Sequence, residues 1–421
     1  MTEDPNTGPL ASARLLAGAP GVDRRRFPKP GADPRWYQPD HIRDPARVRS
    51  EMATQIAAGA DIVLAPTFLT HRRALLPIGE SRRSREWTEA AVRLAREAVE
   101  VGLGMREEAA DGPPSAPVTV LGVLPDPDMD AEAGSGRLAP RDAATERDEA
   151  DQAAILADAA VDGILVEPRP SLARALAAAT VATQTGLPTW TMAQMDEAGR
   201  LASGDPVEAW AEAVSELRPE LLLLCGSSGP ANDALRELVT RAAGATPFGV
   251  LLTAGSPEGA ARAWLESGAT VLGIADDATL ASLQPLRAAL DTYATELRHE
   301  RQTQDAAWTA WVEDAALRAP GGRAVWLGPK PASLPSGFEW VTVEPGAASG
   351  MPAASFRLVV APGGVPAAQA ARLLELGGYL AATLSEDDGT AIARLDGLRL
   401  LERHDRTGAP PGTWIIARRE D

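Results

Sequence analysis

One pattern constrains this chain more than any other: short continuous apolar runs alternate with alanine-rich amphipathic stretches from residue 13 to about residue 294. The apolar runs are 13–17, 62–64, 118–124, 163–167, 187–192, 220–225, 246–252 and 269–274. Asp44-Pro45 is a helix start, an N-cap followed by proline in the first turn. Val48, Met52 and Ile56 follow at four-residue spacing, and Gly59 closes that helix. Further helices are predicted over 83–103, 142–160, 171–185, 205–217, 230–243, 256–267 and 278–294. Runs that are apolar throughout, each followed by a helix, imply a parallel sheet buried on both faces. Eight such units in roughly 280 residues are the pattern of a (β/α)8 TIM barrel. A doubly wound open sheet is the competing arrangement, but it uses fewer units.

The texture changes after residue 300. His299 to Asp314 reads as a polar helix, and Gly321-Gly322 opens a second series of strands at 323–328, 338–344, 356–362, 378–384, 398–404 and 412–419, with one helix at 365–376. The predicted organisation is a barrel over 1–295, a linker helix and turn over 296–322, and a small Rossmann-like α/β domain over 323–421.

Composition removes several classes of function. With 45% hydrophobic and 24% charged residues, the 421-residue chain has material for two globular cores. A net charge of −17 argues against nucleic acid and anionic membrane surfaces as partners. A single cysteine rules out an internal disulfide. No apolar h-region stands in the first 20 residues, and no uncharged apolar run is long enough to span a bilayer, so a cytoplasmic protein is expected.

In a barrel of this kind the chemistry sits at the C-terminal ends of the strands. Four of those ends carry a resemblance. LLAGAPG (15–21), AGADIVLAPTF (58–68), GILVEP (163–168) and LLLLCGSSGP (221–230) are similar, in this order, to segments of the homocysteine S-methyltransferase family, the zinc-dependent barrels that methylate a thiol. GATVLGIADDATLASL (268–283) lies without gaps over that family's Gly-Ala-strand-Gly-Gly-Cys-Cys-Gly-Thr segment. The resemblance covers residues 14–295 and implies both the barrel and a three-thiolate zinc that binds and deprotonates the acceptor thiol.

The sequence departs from that pattern in its chemistry. Ala275 and Asp276 stand where two adjacent cysteines are expected, which leaves Cys225 as the one metal-binding thiol. Asp276 and Asp277 also precede a helix, where aspartate serves as an N-cap. Ala17 replaces an aspartate and Pro66 an asparagine of the family motifs, whereas Gly18, Thr67 and Glu167 are kept. The resemblance therefore implies Glu167, Thr67 and Gly18 as substrate-binding residues and Cys225 with Asp276 as the catalytic pair. Within it, Glu167 holds the amino group of an amino-acid thiol. A carboxylate ending an apolar strand is costly unless it meets a polar cavity, which independently aims Glu167 into the site. None of the four histidines lies at a late strand end; His41 and His71 lie near early ones. Arg24-Arg25-Arg26 and His71-Arg72-Arg73 read as solvated loops.

FRLVVAPGG (356–364), LLELGGYLAATL (373–384) and the closing pair of strands are similar to the later half of class I S-adenosylmethionine-dependent methyltransferases. That likeness implies Glu344 as a cofactor-binding acid. The segment VWLGPKPASLP (325–335) lacks the Gly-x-Gly loop that lets backbone approach a cofactor.

Two functions are compatible with these residues. One is a diverged S-methyltransferase that moves a methyl group from a sulfonium donor, S-adenosylmethionine or S-methylmethionine, to a homocysteine-like thiol. The alternative is a non-catalytic barrel that binds or assembles with another methyltransferase. A homo-oligomer stays open under either.

Overall fold

The structure is a computed structural model that describes residues 13–17, 39–109, 117–126, 143–169, 171–196, 199–201, 203–226, 233–252, 257–274, 280–319, 321–328, 334–362, 367–384, 398–406 and 412–420. Two compact units divide the chain, Met1–Leu297 and Arg298–Asp421.

The first unit is a closed barrel of eight parallel strands in sequence order, β1 hydrogen-bonded to both β2 and β8. The strands are β1 Arg14–Ala17, β2 Ile62–Leu64, β3 Thr119–Leu124, β4 Gly163–Val166, β5 Thr189–Met195, β6 Leu221–Gly226, β7 Phe248–Leu252 and β8 Val271–Ile274. A helix follows each: α1 Pro45–Ala57, α2 Ser84–Ala109, α3 Ala143–Asp158, α4 Leu172–Thr183, α5 Val207–Ser215, α6 Asp233–Ala243, α7 Pro257–Glu266 and α8 Leu280–Arg318. The barrel closes, so the open-sheet alternative is wrong. At the head of α1 the Asp44 carboxylate accepts the Arg47 amide at 3.1 Å, the cap that the Asp-Pro pair predicts.

Strand alternation sorts the apolar residues into two layers. Leu16, Ile62, Leu121, Leu165, Trp190, Met192, Leu221, Leu223 and Val271 fill the barrel interior. Residues between them, such as Ile164, Val166, Leu222 and Leu272, face the helices. Gly273 lets β8 lie close to β1: a Cβ there would stand 2.8 Å from the Leu16 carbonyl oxygen.

Carboxylates pin the N-terminal end of the barrel. Asp61, just before β2, accepts the Leu15 amide of β1 at 2.9 Å and pairs with Arg287 of α8 at 2.9 Å. Asp162, just before β4, repeats the device: it accepts the Val120 amide of β3 at 2.7 Å and both guanidinium ends of Arg96. Each ties a strand to its predecessor where register is set.

The second unit is a six-stranded sheet in the order β10-β9-β11-β12-β14-β13, built from β9 Gly322–Leu327, β10 Phe338–Val343, β11 Phe356–Ala361, β12 Leu374–Leu384, β13 Leu398–Arg406 and β14 Gly412–Arg419. The first four strands in that order are parallel, and β14 pairs antiparallel with both β12 and β13. One face packs Ala324, Trp326, Leu358 and Ile416 against Val312, Ala315 and Ala316 of α8. The opposite face packs Val325, Val359 and Ile415 with Ala370 of the short helix α9, Ala367–Arg372.

Two expectations need correcting here. Residues 299–314 do not form a separate polar helix: α8 is continuous from Leu280 to Arg318, and its last turns carry a buried stripe on the sheet. The helix predicted at 365–376 ends at Arg372, and Leu374 already pairs with Phe356 as the first residue of β12. Burial of Leu373 and Leu374 in the sheet overrides the helical propensity of that stretch. No described helix is long and apolar enough to cross a membrane.

Candidate functional site

The site is built from the residues just past the strands, at the C-terminal rim of the barrel. Glu167 comes one residue after β4 and continues the inward alternation of Gly163 and Leu165; it is 5% exposed, and its amide donates to the Leu124 carbonyl at 3.1 Å. Cys225 is the penultimate residue of β6 and packs on the interior cluster, partly exposed. In the ladders it stands beside Gln194 of β5 and Leu251 of β7. Gln194 is exposed and shares the inward parity of Trp190 and Met192. It therefore presents an amide beside Cys225, a neighbour to which the sequence assigns no role.

Thr67 is fully buried, and its hydroxyl accepts from the Val123 amide at 2.9 Å and donates to the Val123 carbonyl at 3.1 Å. That hydroxyl spends its donor on joining the end of β2 to β3. Behind it, Thr88 donates to Thr70 at 2.7 Å, Thr70 donates to the Thr67 carbonyl at 2.8 Å, and the Gln152 amide reaches both threonine hydroxyls at 3.3 Å. The loop after β2 is thereby fixed to α2 and α3. Gly18 and Asp276 lie outside the described residues, as do Ala275, Asp277 and the Arg24–Arg26 run.

Around Glu167 stands a group of buried ions that the sequence did not reveal. Arg169 bonds the Glu167 carbonyl at 3.1 Å, the Pro125 carbonyl at 2.9 Å and the Glu149 carboxylate of α3 at 3.2 Å. Arg174 of α4 reaches Asp126, past the end of β3, at 3.3 Å. Arg73 donates to Asp148 at 2.9 Å. All four carboxylates and guanidiniums of the first two pairs are buried, which such groups tolerate only when paired. His71 lies against this group, so its assignment to a solvated loop was wrong. It is 7% exposed, and burial lowers its pKa to about 4 against the opposing pull of Asp148. His41 is likewise buried and lowered to about 4 by burial, while its Nε2 donates to the Trp87 carbonyl at 3.0 Å.

The donor set does not fit a three-thiolate zinc. Cys225 is the only cysteine in the sequence, and no group of three His, Cys, Asp or Glu among the described residues is arranged to hold a metal ion. His41 and His71 are committed to the interior near the first strands.

In the second unit, Glu344 follows β10, the edge strand of the sheet, and is exposed at the start of the short 3-10 helix Pro345–Gly350. Its carbonyl accepts the Ala347 amide at 3.0 Å.

A closed barrel of eight parallel strands alternating with helices defines the class: a (β/α)8 protein, with a carboxylate and a thiol on its C-terminal rim. The sequence family described as Homocysteine S-methyltransferase matches residues 16–308, and the chain belongs to that family. Among solved structures, the metallated form of the homocysteine methyltransferase MmuM from Escherichia coli is similar, with a TM-score of 0.55 at 19% identity over 66% of this chain and 96% of that one. Its oxidized form gives a TM-score of 0.53 at 20% identity over 67% and 99%. At such identities the likeness speaks for the fold. No curated protein matches the chain.

Proposed function

We propose that this protein is a diverged S-methyltransferase that binds an amino-acid thiol at the barrel mouth through Glu167. The observation that carries this reading is a buried carboxylate at the end of an apolar strand, held in place by a guanidinium that is spent on main-chain carbonyls and on Glu149. A charge placed there at such cost suits an ammonium partner. The acceptor is a homocysteine-like thiol and the donor a sulfonium, S-adenosylmethionine or S-methylmethionine. The acceptor sulfur forms a bond to the methyl carbon as the bond from that carbon to the sulfonium sulfur breaks. The donor leaves as a neutral thioether and the thiol proton passes to water. Cys225 and Gln194 border the region where the thiol lies, and Asp276 is the second candidate for positioning it.

The single cysteine favours a second reading, in which the barrel binds its ligand without turnover and serves as a partner of another methyltransferase. The second unit, with Glu344 at its edge, is then a docking or dimerisation module, not a cofactor site. Methionine formation from homocysteine and either sulfonium separates the two.

Calorimetry with homocysteine, methionine and S-methylmethionine tests the shared premise. Loss of a charge-assisted hydrogen bond costs on the order of 1.5–3 kcal/mol, so Glu167→Gln should weaken binding roughly 10- to 150-fold without unfolding the barrel. Equal binding by both proteins, or none by the wild type, refutes the anchor.

A further inference from the structure

At the C-terminal end of the β3–β4 seam the Glu167 amide donates to the Leu124 carbonyl at 3.1 Å. One residue past each strand stand Pro125 and Glu167. Arg169 bridges their carbonyls: Nη2 donates to Pro125 at 2.9 Å and Nη1 to Glu167 at 3.1 Å, with Glu149 as counter-charge at 3.2 Å. Its side chain is 1% exposed and that of Glu149 is 5% exposed.

We infer that Arg169 is a positioning residue: its planar guanidinium acts as a surrogate rung that fixes the main chain of Glu167 relative to β3 and so aims the carboxylate at a substrate ammonium. The inference rests on the proposed role of Glu167 and adds a second residue to it. Three features support it beyond burial. The two carbonyls belong to the first residues past the ends of two adjacent strands. The fork geometry of arginine spans both at once, which a single-point donor does not. Arg174 and Asp126 brace the same strand ends at 3.3 Å, so the clamp sits in a rigid frame.

The test is the ammonium-dependent part of binding, measured as the ratio of Kd for 4-mercaptobutyrate, which lacks the amine, to Kd for homocysteine. A correctly held carboxylate makes that ratio about 10- to 100-fold in the wild type. In Arg169→Met it should fall to within about threefold, through weaker homocysteine binding with mercaptobutyrate binding unchanged. Arg169→Lys, which keeps the charge and one donor, should recover part of the ratio and guards against a Met variant that does not fold. A purely structural arginine would lower the melting temperature but leave the ratio intact, and that result overturns the inference. A wild-type ratio near unity instead overturns the Glu167 anchor, and the role of Arg169 falls with it.

Discussion

Two arcs of the same barrel rim are built very differently. From β2 to β4 the strand ends are crowded with buried polar groups: Thr67 is bonded twice to Val123, Arg169 takes three acceptors, and Arg174 pairs with Asp126. From β6 to β8 the sequence offers one thiol, Cys225, and at the aligned end of β8 an alanine where the family has a ligand. The first arc holds position with ionic frames; the second, in the family, holds a metal. If the site is as proposed, its amino-acid end and its thiol end are separable structures.

The comparison breaks first if the ionic frame is dispensable. Glu149→Ala strands a buried guanidinium, which costs about 3–5 kcal/mol, and denaturant unfolding should register the loss. If the loss is below about 1 kcal/mol, the frame carries no weight and the contrast is only one of composition.

Acid probes the same arc. The folded pKa values of His41 and His71 are about 4, below the 6.5 of an exposed imidazole. Between pH 6.5 and 4 the unfolded chain binds the protons that the folded chain refuses, so stability falls as pH falls through that window. Each histidine then costs on the order of 3 kcal/mol by pH 4. His71→Gln should flatten the pH profile of unfolding there; an unchanged profile contradicts the neutral buried imidazole.

The smallest effects belong to the other arc. Cys225→Ala should change stability by less than about 1 kcal/mol. Protein purified without chelator should hold well under one zinc per chain by elemental analysis, since alanine is no ligand and aspartate is a harder donor than thiolate. Full occupancy restores the metal arc and erases the contrast.

Much of this was legible in sequence, and the exceptions have causes. Barrel strands announce themselves because both faces are buried, so residues 221–225 read as unbroken apolar sequence. Glu167 stands out as a candidate because a carboxylate on such a run is conspicuous. Arg169 was not: its meaning lies in Pro125, 44 residues earlier, and in Glu149, 20 residues earlier on another element. His71 was misjudged because two neighbouring arginines look solvated, while the fold turns one residue of the three inward. The start of β12 was missed because Leu373 and Leu374 fit a helical stripe as well as they fit the sheet face that buries them.

Asp61 and Asp162 fix strand register at the opposite end of the barrel from every residue proposed to meet a ligand. A scaffold anchored at its base lets the loops above accumulate substitutions one at a time without losing the fold. Ligands to a metal are then among the first things drift can remove, since their loss leaves a soluble, folded intermediate on which selection for a new task can act.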